Sequence, residues 1–125
     1  MNLTSKEGYL AEYGLFLEKY NSETISPIQI GEMVARFAQY YSAFMMESVE
    51  AERAFSLRIA DEEKVVDASG KAISSTKAKA AADTSPEAYR RDLVNAHLKS
   101  IERIMGALKD LQFGVSREMR YQGAS

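Results

Sequence analysis

At 125 residues the chain is sized for one domain, and its 46% apolar and 27% charged residues are the balance of a folded protein. A net charge of −2 gives no overall basic footprint for nucleic acid, so any anion-binding surface has to be a local patch. Cysteine is absent, which excludes a disulfide frame, a thiolate nucleophile and Cys-based zinc sites and fits a reducing cytoplasm.

Lys6, Glu7 and Glu12 fall within the first dozen residues, and with no apolar core beside them this segment does not read as a signal peptide. The first expected helix, 5–20, places Tyr9, Leu10, Tyr13, Phe16, Leu17 and Tyr20 at three- and four-residue spacing, one apolar stripe despite Gly8 and Gly14. The polar stretch 21–26 then leads to Ser26-Pro27. Serine before proline is a helix start, because the hydroxyl accepts from an orphan amide and proline at the first position forfeits no hydrogen bond. A long helix is expected over 27–66, with a seam of Ile30, Val34, Phe37, Tyr41, Phe44, Ser48, Ala51 and Phe55 spaced alternately four and three. Its apolar richness over 33–46 is broken by Arg36, Gln39 and Ser42, short of the roughly 20 apolar residues of a membrane span. Beyond Val49 the charges thicken, and this half reads as solvated.

Asp67-Ala68-Ser69-Gly70-Lys71 is a turn signal. Ser74 and Ser75 are candidate caps for a short alanine-rich helix over 74–82, which carries Lys77 and Lys79 and would be marginal alone. Ser85-Pro86 opens the last helix, 86–121. Val94, Leu98, Ile101, Met105, Leu108, Gln112, Val115 and Met119 hold an unbroken four-three spacing there, with charges off the stripe. Such a period is that of a coiled coil or long bundle helix, and Gln112 resembles a polar insert that sets register. The expectation is an all-α fold, a long helical hairpin or coiled-coil-like bundle with a short N-terminal and a short connecting helix. The stripe on the last helix is the expected subunit interface of a homo-oligomer, or the face that meets 37–55 within the chain, and both can hold at once.

Little in the chain suggests catalysis. His97, the one histidine, has Val94 three residues before it, so the Glu-x-x-His pattern of di-iron bundles is missing, and it reads as a packing residue beside the stripe. Glu50/Glu52 and Glu62-Glu63 lack apolar neighbours that would exclude water and raise a carboxyl pKa. Gly70-Lys71 lacks the upstream glycine of a phosphate loop. No enzyme activity, metal or cofactor is expected. The run Phe37, Tyr40, Tyr41 and Phe44 beside Arg36 has base-stacking chemistry, but at helical spacing it reads as core. Basic residues flank the central turn from both sides, and Arg53, Arg58, Lys77 and Lys79 are the candidates to lie along a phosphate backbone.

The order of features resembles the phage recombination mediators of the UvsY type. A first helix precedes a long aromatic one; Glu50-Ala51 opens a basic and small stretch through Arg58; a glycine turn and a Lys-bearing segment ending Ala82-Asp83 follow. Asp83-Thr84-Ser85 then leads into a final helix with Ile101 and Ile104 in its middle and Met119-Arg120 near its end. The resemblance covers roughly 33–123. It implies a ring-forming helical protein that binds single-stranded DNA, with contacts from the stretch of Arg53 and Arg58. Its partners would be a RecA-like recombinase and single-strand-binding protein in a bacterial host's cytoplasm. Asp61-Glu62-Glu63 stands where that family is Lys-rich. The alternative expectation is a helical protein-binding adaptor or inhibitor with no nucleic-acid role.

Overall fold

The structure, a computed structural model, describes residues 6–22 and 25–124, and the side chains of 8–20 and 25–118. The described residues form four helices: α1 (Lys6–Ser22), α2 (Pro27–Glu63), α3 (Ser75–Asp83) and α4 (Pro86–Ala124). No strand occurs among them, and the fold is all-α as expected. None of these helices is long and apolar enough to cross a membrane.

Each serine-led start works through its own hydroxyl. Ser26 Oγ accepts from the Gln29 amide at 3.3 Å while Gln29 Oε1 accepts from the Ser26 amide at 2.9 Å, a reciprocal capping box. Ser74 Oγ accepts from Lys77 N at 3.2 Å, and Ser85 Oγ accepts from Ala88 N at 3.2 Å while donating to the Ala82 carbonyl.

Helix α2 ends at Glu63, short of the expected 66. The Lys64 and Val65 amides reach back three residues, to the Asp61 and Glu62 carbonyls, which tightens the last turn. Val66 then makes a single antiparallel bridge with Ala72, and Asp67 N donates to the Lys71 carbonyl at 2.7 Å. Asp67 Oδ1 closes the turn by accepting from Ser69 Oγ, Ser69 N and Lys71 N at 2.6–3.0 Å. Those bonds, the Ser69 hydroxyl first, hold its carboxyl below the usual aspartate range. Gly70 supplies the positive φ (82°) that the turn requires.

Contacts gather into two compact units, Met1–Phe44 with His97–Ser125, and Met45–Ala96. In the first, α2 and α4 run antiparallel, as Tyr41 paired with Glu102 and Pro27 with Gln112 require. Phe37, Tyr40 and Phe44 are buried, and α1 lays Tyr9 and Tyr13 on them, with Phe16 of the same helix also buried. Tyr9 meets Phe37 and Phe44 edge to face, at 6.4 and 5.7 Å between ring centroids. Its hydroxyl lies 2.7 Å from His97 Nδ1. Nearby, Glu12 of α1 accepts from both Arg36 Nε (3.0 Å) and the Tyr40 hydroxyl, so α1 is also held by charge-assisted bonds.

In the second unit α2 and α4 are again antiparallel, Ser48 meeting Asn95 and Arg58 meeting Glu87. Phe55, Ala82 of α3 and Ala88 of α4 form a small buried cluster with Ile59 packed on it. This corrects the reading of the distal half of α2 as solvated. Ala51 and Phe55 continue the buried seam there, and α3 turns two fully covered alanine methyls inward one turn apart, Ala78 and Ala82, the second packed in the cluster with Phe55. Alanine's small size lets a helix with no large apolar side chain come close enough to cover Phe55.

Candidate interaction surface

The four cations assigned to phosphate contact all belong to the second unit. Arg53 and Arg58 stand on α2, and Lys77 and Lys79 on α3. Helical geometry fixes their direction. Lys77 and Lys79 sit one residue either side of buried Ala78, on the two flanks of the packed stripe, and both are exposed. Neither lysine has an acidic partner among the described residues, and the same holds for Arg53.

Arg58 differs. Its guanidinium bonds Glu62 at 2.9–3.0 Å and lies 3.9 Å from Glu87, so it links α2 to α4 rather than waiting for an anion. Arg90 is likewise held by Glu47 at 2.9 Å and Glu50 at 3.6 Å, and Arg91 lies 4.0 Å over the Phe55 ring while pairing with Asp92. Residues 45–96 hold eight Lys or Arg against ten Asp or Glu, a net charge of −2, so the free lysines of α3 are a local patch on an acidic unit.

The stripe expected to join subunits is mostly covered by the chain itself. Val94, Leu98, Ile101 and Leu108 are buried, while Met105, Gln112 and Val115 are half-buried. The Met119 side chain lies outside those described. Gln112, expected to set register between subunits, donates instead to the Pro27 carbonyl at 3.0 Å within the chain. Gly31 makes room for it, since a Cβ there would stand 2.8 Å from Gln112 Nε2. Gly31→Ala is therefore expected to be near neutral, within about 1 kcal/mol. Helix propensity gains about 1 kcal/mol and a displaced hydrogen bond loses a similar amount. Urea denaturation checks this, and a loss above about 2 kcal/mol would mean that Gln112 cannot move aside.

Sequence reasoning missed the surface that α2 leaves open. Met46, Val49 and Leu57 are 70%, 67% and 59% exposed, at three- and eight-residue separations that put them on one side of the helix, with Arg53 between them. On α4, Tyr89 and Leu93 form a second exposed pair one turn apart. The half of α2 beyond Val49 reads as solvated from its charges, and that reading gives its apolar side chains no role.

Two of the cavities among the described residues lie in the first unit. One, of about 330 Å³, is lined by Glu12, Phe16, Ile25, Glu32 and Met33 among others. The other, of about 270 Å³, lies beside Tyr41, Glu102 and Lys109. No group of three or more metal-ligating side chains is gathered among the described residues. Comparison with protein-family models, with curated proteins and with solved structures gives no match.

Proposed function

We propose that this protein is an accessory factor of phage-type DNA recombination that holds single-stranded DNA weakly, several copies acting together, and presents it to a RecA-like recombinase. The order of its helices and turn resembles that of UvsY-type mediators. The observation that carries the reading is α3, whose alanine face is anchored while Lys77 and Lys79 are exposed with no carboxylate on them among the described residues. The phosphate set narrows accordingly. Arg58 is engaged by two glutamates, and Arg53 lies amid exposed apolar side chains, so the two α3 lysines lead. Two contacts per chain make a weak site, and multivalency along one strand raises the affinity.

Anisotropy of a labelled oligo-dT at low salt tests this. Binding is expected to weaken with salt at a logarithmic slope of about −1.4 per chain engaged, the value for two phosphate contacts on a single strand. Lys77→Glu with Lys79→Glu is expected to weaken it at least tenfold, against less than about threefold for Arg58→Gln. Undetectable binding of the wild-type chain at low salt would end the DNA reading.

The exposed pair Tyr89 and Leu93 favours a second reading, a protein-binding adaptor with no nucleic-acid role. Its mark would be a one-to-one complex with a protein target, lost in Tyr89→Ser with Leu93→Ser, and no retention on single-stranded DNA.

A further inference from the structure

The outer face of α2 is self-complementary about its middle, apolar side chains mirroring apolar ones and a carboxylate mirroring a guanidinium. Counting outward from the midpoint between Ala51 and Glu52, Glu50 mirrors Arg53, Val49 mirrors Ala54, and Met46 mirrors Leu57. Met46, Val49, Glu50, Arg53 and Leu57 are all exposed, and Ala54 is half-buried beside them. Three large apolar side chains left in water on one helix side are a surface in want of a cover.

We infer that the cover is a second copy of this chain, with α2 packed antiparallel on α2 about a two-fold axis beside Ala51 and Glu52. A two-fold contact is self-complementary, since whatever residue i meets in its partner, the partner's i meets in turn. In this register Met46 lies on Leu57 of the partner subunit at both ends. Between them Glu50 faces Arg53 of the partner subunit, and the symmetry repeats the pair. Parallel pairing would set Arg53 on its own copy and Glu50 on its own copy, so charge selects the antiparallel arrangement. Arg53 has no acidic partner among the described residues, and Glu50 is only the longer of two contacts to Arg90, whose nearer partner is Glu47. Both charges are therefore available. The contact spans Met46 to Leu57, about 16 Å of helix at 1.5 Å per residue. That length makes a small interface and a concentration-dependent dimer. The inference stands apart from the DNA reading, since it uses neither Lys77 nor Lys79.

Sedimentation equilibrium of the full chain from about 10 to 500 μM tests it, with circular dichroism to confirm that each variant stays folded. The wild-type chain is expected to pass from 13.9 kDa toward twice that mass as concentration rises. Arg53→Glu is expected to weaken the dimer at least tenfold, and Glu50→Arg with Arg53→Glu to restore it to within about threefold of wild type. Because the chain has no cysteine, single thiols report the register directly. Met46→Cys and Leu57→Cys proteins are expected to cross-link on oxidation when mixed, and far less when either is alone. A chain that stays monomeric at 500 μM, a dimer indifferent to Arg53→Glu, a charge swap that fails to restore it, or thiols that cross-link equally well unmixed would each overturn the proposal.

Discussion

Phe37→Ala is expected to cost about 3–5 kcal/mol of unfolding free energy, the range for removing a fully buried phenylalanine. No part of Phe37 reaches solvent, and its ring is met by Tyr9 at 6.4 Å, Tyr13 at 6.1 Å and Tyr40 at 5.4 Å between centroids. The hole left behind would be lined by tyrosines that are not free to collapse into it. Tyr9 is tied through its hydroxyl to His97, and Tyr40 through its own to Glu12. Against a typical total of about 5–15 kcal/mol, such a loss leaves little margin. Helix α1 should suffer most. It has 17 residues, two glycines and a stripe whose partner is this aromatic cluster, so it has little helical stability of its own. Urea denaturation followed by circular dichroism gives the total. Amide exchange would show α1 opening well before the α2 amides around it. A loss below about 1 kcal/mol, or α1 amides as protected as in the wild type, would show that the aromatic cluster does not hold this helix.

That cluster was legible in advance because it follows from one rule, the periodicity of large apolar side chains. Tyr9, Tyr13 and Phe16 on α1 and Phe37 and Phe44 on α2 lie on the stripes that spacing defines. Helix starts were legible for a similar reason. A serine hydroxyl before a proline has one good use, and Ser26 and Ser85 both make it. Interfaces were harder. A heptad stripe says that Leu98, Ile101 and Leu108 need cover, but the identity of the cover depends on where α2 lies, which periodicity does not encode. The same limit applies to Arg53 and Arg58. In sequence they are two arginines five apart, and only the fold distinguishes one held by Glu62 and Glu87 from one with no carboxylate on it among the described residues. The buried role of α3 was missed because alanine carries little hydropathy signal. What it carries is the absence of bulk, which matters only once Phe55 is known to lie beneath it.

Ala82→Asp turns that last point into a measurement. Ala82 is wholly buried against Phe55 and Ala88, with Ile59 alongside, and a carboxylate there would lose its water without gaining a partner. Leaving a charge uncompensated in such a place costs about 3–5 kcal/mol. One candidate to neutralise it, Arg91, is already stacked at 4.0 Å over the Phe55 ring and paired with Asp92 at 3.1 Å, so recruiting it would break two existing interactions. The molecule has a less costly response. Helix α3 is nine residues long with few large side chains to anchor it, and releasing it hydrates the carboxylate at the expense of one local contact. The expected result is a chain whose α1 and α2 amides around Phe37 stay protected while residues 75–83 exchange freely and become open to proteolysis. Ala82→Ser, of similar size and uncharged, should keep α3 docked far better, because its hydroxyl can return a bond to the carbonyl one turn back. On the proposed reading, Lys77 and Lys79 lose their platform in Ala82→Asp, and affinity for oligo-dT falls even though both lysines remain. Protection of α3 equal to wild type would mean that the methyl of Ala82 is not what seats this helix.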